Sequence, residues 1–188
     1  MSPKFRASIV AVAIVAGGSS LAFAKTNPMV GGAAMYPTKN IVENAVNSKD
    51  HTTLVAAVKA AGLVETLSGP GPFTVLAPTN AAFAKLPAGT VETLVKPENK
   101  ATLTSILTYH VIPGKISAAQ IKANAMKHNG KATYTTVNGG TVTFMKSGAK
   151  NGGGWSVMDA KGGMAKITIA DVNQSNGVIH VIDTVLMP

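Results

Sequence analysis

Histidine, the side-chain type whose reference pKa lies nearest neutrality, occurs four times in this 188-residue chain: His51, His110, His128 and His180. A catalytic base or a metal centre needs partners at fixed spacing, and the sequence gives these histidines none. There is no H-E-x-x-H, which would set two imidazoles on one helix face, and no G-x-S-x-G to lift a serine onto a strand-to-helix elbow. No G-x-x-x-x-G-K-[ST] cradles a phosphate; the glycine run at 152–154 leads into Trp155 and reads as a hairpin loop. The absence of cysteine excludes thiolate metal sites, disulfides and a lipid anchor on cysteine. The expectation is a chain with no catalytic residue, no metal site and no cofactor.

Two histidines sit where geometry can be argued. In "SNGVIHVIDTVLMP", residues 178–186 read as a strand buried on both faces, interrupted by His180 and Asp183. Side chains alternate along a strand, so His180 shares a face with Val178 and Ile182, and Asp183 with Ile179 and Val181. The two cannot form a base–orienter couple. Each is expected to tie the strand to a different layer, because an unmet buried polar group costs about 1–3 kcal/mol. His110 follows Leu103, Ile106 and Leu107 at helical spacing and reads as a C-terminal cap, where "YHVIPGK" passes into a strand and a Pro-Gly turn.

The elements that position these residues change character along the chain. Ile41, Val42, Ala45 and Val46, then Leu54, Val55, Val58 and Ala61, recur at helical spacing, and Gly62 suits a left-handed stop. "FTVLAP" reads as a strand and "TNAAFAKLP" as a short helix capped by Thr79 or Asn80. Pro97 suits the first position of the helix carrying Leu103, and Ser117 with Gln120 makes a capping box. From residue 130, "ATYTTV", "TVTFM", "WSVM", "AKITIADV" and "GVIHVIDTVL" are strand-like and separated by glycine-rich turns. Helices followed by an antiparallel meander make an α+β domain. It is expected to span 38–188, behind a linker or flexible N-terminal arm at 25–37, "KTNPMVGGAAMYP".

Residues 1–24 read as a cleaved signal peptide: Lys4 and Arg6, a short apolar stretch, then "AFA" before Lys25. The chain is therefore expected to be exported, periplasmic or extracellular, with no membrane span after cleavage. Without Lys4 and Arg6, 15 basic residues stand against 8 acidic ones, a net of +7. The lysines are scattered and aromatics make up 5%, which excludes a basic nucleic-acid tail and a base-stacking platform. Long-range attraction to anionic polysaccharide, headgroups or acidic proteins remains, beside the plainer reading of lysines that keep the domain soluble. A second functional reading is a periplasmic small-ligand-binding protein, with Met126, Met145, Met158 and Met164 lining an apolar pocket between helices and sheet.

Three segments in order resemble the fasciclin domain family over about residues 38–188: "FTVLAPTNAAFAKLP", "YHVIPGK" and "SNGVIHVIDTVLMP". The resemblance implies a fasciclin-like fold, N-terminal helices packed on a C-terminal β-rich wedge of mostly antiparallel strands. It also implies a non-catalytic binding module for cell adhesion, contacting a cell-surface protein, an extracellular matrix protein or a glycan. In animal relatives, positions matching Tyr109-His110 and Asp171-Val172 are linked to integrin binding, which makes Tyr109, His110, Asp171 and Val172 the candidate binding residues. For Asp171 the residues favour a plainer role, ending the "KITIA" strand. The family often has Asp where this chain has Asn80; with His180 and Asp183, Asn80 is expected to serve a structural polar network.

Overall fold

The structure, a computed structural model, describes residues 27–148 and 154–188. The expected signal segment and residues 152–153 of the glycine run lie outside them.

The segment expected as a loose arm is a docked hairpin, β1 (Met29–Val30) and β2 (Ala33–Ala34). Its apolar anchors, Val30 and Met35, are 4% and 2% exposed. Two glycines hid these anchors from any periodicity, and one of them explains the docking. Gly31, at φ 58°, lets the turn approach so closely that an added Cβ would collide with Ser48 and Asp50. Its carbonyl accepts from Lys49 N at 3.2 Å.

Then come α1 (Ile41–Ala45), α2 (Thr52–Ala61), α3 (Val64–Ser68), β3 (Phe73–Pro78), α4 (Asn80–Ala84), α5 (Thr90–Leu94) and α6 (Lys100–Tyr109). The capping signals explain most of these boundaries. Asn40 and Glu43 form a capping box on α1, Gly62 ends α2 at φ 73°, and Thr79 caps α4. Pro97 opens a short 3₁₀ turn, Pro97–Asn99, that runs into α6, rather than starting α6 itself.

The second half holds β4 (Val111–Pro113), α7 (Ala118–Lys127), β5 (Lys131–Thr135), β6 (Thr141–Ser147), β7 (Gly154–Met158), β8 (Met164–Gln174) and β9 (Gly177–Ile182). The Ser117–Gln120 box caps α7. The sheet order is β4-β3-β9-β8-β7-β6-β5; β3 and β9 run parallel and all other neighbours antiparallel. Val137, just past β5, donates to the Val111 carbonyl of β4 at 2.8 Å, so the curled sheet brings its two edges together.

Two cores result. Leu54, Val58, Leu103, Ile106 and Leu107 of α2 and α6 pack on Val75, Ala77, Ile179 and Val181 of β3 and β9. The alternate residues of the same strands, Leu76 and Ile182, face a second core inside the curl. There they meet Tyr109, Ile121, Ala132, Val142, Phe144, Val157, Ala165 and Leu186. At about 25 cal/mol per Å² of apolar surface, each fully buried Phe, Leu or Ile contributes about 1.5–3 kcal/mol. The chain is thus α+β, with a helical layer on one side of β3 and β9 and a mostly antiparallel wedge on the other.

Candidate functional site

The helical layer meets the wedge at the end of α6. Tyr109 is the last helical residue and is 0% exposed. Its hydroxyl donates to Thr141 O at 2.7 Å and accepts from Ala160 N at 2.9 Å, joining α6 to strand β6 and to the turn between β7 and β8. His110, the C-cap, is 2% exposed. Its Nδ1–H donates to Ile106 O at 2.8 Å and its Nε2 accepts from Leu186 N at 3.0 Å, which fixes one neutral tautomer. Burial dominates its titration and pushes the pKa down to about 4, against the Ile106 carbonyl and Asp159. Asp159 holds the adjoining tail. Its Oδ2 accepts from Met187 N at 3.2 Å, and its Oδ1 from Lys161 N and Gly163 N at 3.0 and 2.7 Å.

A second tie lies at a bulge in β8. Ile169 pairs with Val181 and Val172 with Ile179, so one extra residue must be accommodated. Asp171 takes a left-handed φ of 56° there. It does not end the strand, as expected from sequence; its Oδ1 accepts from Ala118 N at 2.7 Å, at the start of α7. Its backbone N–H donates to His180 Nδ1 at 3.3 Å, and His180 Nε2–H donates to Ile116 O at 2.9 Å. His180 is fully buried, which lowers its pKa against the pull of the Ile116 carbonyl and Asp171.

His180 and Asp183 do not meet. β9 stops at Ile182, four residues short of the sequence reading, because Asp183 and Thr184 form a bend instead of continuing the ladder. Asp183 Oδ1 accepts from Lys166 N at 2.8 Å and from Thr184 Oγ1 at 3.0 Å, and Oδ2 lies 3.5 Å from Lys85 Nζ. Partial burial raises its pKa, but these donors and Lys85 outweigh that and hold it below the ordinary value.

Asn80 bonds to the start of α2 and to the turn before it. Its Oδ1 accepts from Thr53 N at 3.0 Å and Thr52 Oγ1 at 3.2 Å, and its Nδ2 donates to Lys49 O at 2.8 Å. It therefore caps α2 from a neighbouring helix, where His51 supplies no side-chain cap. The amide uses both its donor and its acceptor; a carboxylate could not donate to Lys49.

Tyr109, His110 and Val172 are 0%, 2% and 0% exposed, so three of the four candidate binding residues face the interior. Their apolar or ring bodies fill the two cores, and their polar atoms are spent on backbone partners. Asp171 alone is half-buried. The sequence reading missed Asn176. Its Oδ1 caps α1 through Ile41 N at 3.0 Å, and its Nδ2 donates to Leu67 O and Gly69 O at 2.7 and 2.9 Å. Its signal was the "SNG" turn: Gly177, beside it, admits no Cβ because the Phe73 carbonyl occupies that space.

His51 contrasts with both bonded histidines. Nδ1 meets Ser48 Oγ at 2.8 Å, but the buried Nε2 has no hydrogen-bond partner. The Ala77 carbonyl bears on it electrostatically without a bond of normal geometry, and burial lowers its pKa.

Met126, Met145, Met158 and Met164 do not line the main pocket between helices and sheet. That space, bounded by Ile41, Leu54, Val58, Leu107 and Val111, is about 40 Å³, and its apolar walls come from aliphatic side chains. Met126 and Met164 are 76% and 46% exposed. A larger cleft of about 190 Å³ opens between α7 and strands β7 and β8, against Ile121, Trp155, Ile167 and the edge of His180. Among the described residues no three His, Asp or Glu side chains are grouped to hold a metal, and no helix is long and apolar enough to cross a membrane.

Comparison with known proteins agrees with this architecture. The chain is 50% identical over 162 residues to Protein sll1483 of Synechocystis sp., covering 85% of this chain and 79% of that protein. It is 35% identical over 172 residues to the cell surface glycolipoprotein MPB83 of Mycobacterium bovis, covering 92% of this chain and 66% of that one. A FAS1 domain pair from the insect cell adhesion molecule Fasciclin I shares the fold, with a TM-score of 0.50 at 23% identity over 77% of this chain and 43% of that chain. The Fasciclin domain family model matches residues 49–188, and the chain belongs to the fasciclin domain family.

Proposed function

We propose that this is an exported, non-catalytic adhesion module that holds an anionic polysaccharide of the cell surface or matrix through lysines of the wedge. One observation carries this reading. From β4 onward, seven described lysines stand against three carboxylates, Asp159, Asp171 and Asp183, and each carboxylate is committed to backbone N–H groups. Lys115, Lys122, Lys127, Lys131, Lys146 and Lys161 are exposed. In residues 27–110, six lysines are balanced by five carboxylates. The positive field therefore belongs to the wedge, and it attracts polyanions over roughly a Debye length, about 8–10 Å near physiological salt. Kinship with a cell surface glycolipoprotein supports an envelope or extracellular location.

The test is capture on an anionic and a neutral polysaccharide at two salt concentrations. Lys122→Glu/Lys127→Glu/Lys131→Glu is compared with Lys39→Glu/Lys59→Glu. Salt-sensitive capture of the parent, lost in the first variant and kept in the second, is expected. Equal loss in both variants, or no capture at low salt, removes the proposal.

The 190 Å³ cleft favours a second reading, a small apolar ligand stacked on Trp155. A thermal-shift screen against small apolar and aromatic compounds tests it, with Trp155→Ala abolishing any hit.

A further inference from the structure

The cleft beneath α7 has an apolar lining and charges of opposite sign at its two ends. Phe144, Val157 and Ala165 are each 0% exposed inside the curl, so the pleat turns Lys146, Trp155 and Ile167, two residues along each strand, onto the same concave face. The alternate residues, Met145, Met158 and Met164 among them, face outward. Lys146 of β6 and Trp155 of β7 are direct cross-strand partners. Directly opposite Cβ atoms lie about 4.5–5.5 Å apart, so the exposed lysine runs its stem beside the indole and sets its ammonium at the rim of the cleft. The other end is acidic. Asp171 follows Ala170 and accepts from Ala118 N at 2.7 Å, and both alanines line the cleft. His180 offers an edge but no free nitrogen, since Nδ1 and Nε2 are both bonded.

We infer, resting on the reading of a small ligand stacked on Trp155, that the cleft takes an aromatic monocarboxylate, its ring on Trp155 and its carboxylate on Lys146. The volume of about 190 Å³ exceeds the roughly 150 Å³ that holds a benzene ring, which leaves room for a short linker to the head group. Ring stacking adds to the burial of the apolar body against Ile121 and Ile167. The end charges set the orientation: a carboxylate is attracted at the Lys146 end and repelled at the other, where Asp171 already occupies the start of α7. A dicarboxylate is therefore disfavoured. Lys146 and Trp155 lie in no ligand motif, and only the register of β6 on β7 brings them side by side.

Trp155 is the chain's only tryptophan, so its fluorescence reads this site alone. The full chain is titrated at pH 7 with 3-phenylpropionate, its neutral amide 3-phenylpropanamide, and hexanoate, which lacks the ring. Both phenyl compounds are expected to change the emission saturably. The carboxylate binds about fivefold tighter than the amide at low salt, the effect of an exposed ion pair, and the gap closes at high salt. Lys146→Gln brings the carboxylate down to the amide and leaves the amide unchanged, while Lys146→Arg keeps the preference. Hexanoate binds more weakly than 3-phenylpropionate. Equal binding of carboxylate and amide by the parent, or a preference that survives Lys146→Gln, overturns the head-group assignment and leaves the cleft reading standing. Hexanoate matching 3-phenylpropionate overturns the aromatic assignment. If no probe changes the emission, the cleft reading and this inference both fall.

Discussion

The seam beneath α6 and the outer surface of the wedge use opposite chemistry. At the seam, Tyr109, His110, Asp159, Asp171 and His180 place their polar atoms on backbone groups, in bonds that reach from one element to another. On the wedge surface, lysines and methionines face solvent and make few such bonds. The family's recognisable motifs belong to the first region. Residues that hold the layers together are bound to a fixed geometry, which produces a motif; residues that meet a partner outside are free to scatter. In this chain the motif marks the joint, and the lysines of the proposed face lie among the scattered residues.

Removing the joint should have the largest effect. His110→Ala leaves Ile106 O and Leu186 N without their partner and opens a cavity, costing about 3–5 kcal/mol in denaturant unfolding. Tyr109→Phe keeps the ring and loses two bonds, about 1–3 kcal/mol. Losses the size of a surface substitution, within about 0.5 kcal/mol, would break the comparison.

Acid should act at the joint next. The folded pKa of His110 is about 4, below the ordinary 6.5, so the unfolded chain takes up the proton first. Its contribution is fully present above pH 6.5, shrinks as the pH falls, and is lost through pH 4, about 3 kcal/mol in all. His51 and His180 are shifted in the same direction. Unfolding free energy measured between pH 7 and 4 should fall across the histidine range, before the carboxylates titrate, and less steeply in His110→Phe.

A smaller effect sharpens the role of Asn80. Asn80→Ala removes the α2 cap and costs about 1 kcal/mol, whereas Asn80→Asp keeps the acceptor, gains from the helix dipole and loses the bond to Lys49 O, a net change under about 1 kcal/mol. The wedge lysine substitutions should be smallest in stability, within about 0.5 kcal/mol, and should register in binding instead.

Much of the fold was legible from local signals. The Ser117–Gln120 box, Gly62 and the glycine-separated strands set boundaries through short-range chemistry, and the alternation around His180 put it on a face away from Ile179 and Val181. What escaped depends on contacts distant in sequence. The bulge that turns Asp171 toward α7 comes from the pairing of β8 with β9, and the hairpin at Met29–Ala34 docks because Gly31 reaches Ser48. Strand continuity past Ile182 looked sound from apolar content alone, yet Asp183 turns to bond Lys166. Methionine, apolar by type, was assigned to a pocket, while the register of β6, β7 and β8 sets three of them on the surface. The candidate site was the least legible part, since exposed lysines carry no spacing rule.

The most direct test of this division is polysaccharide capture by Tyr109→Phe and by Lys122→Glu/Lys127→Glu/Lys131→Glu, measured in parallel at a temperature where both are folded. The account expects Tyr109→Phe to bind like the parent despite a lower melting temperature, and the lysine variant to melt like the parent and fail to bind. Capture lost in Tyr109→Phe and retained in the lysine variant would contradict it.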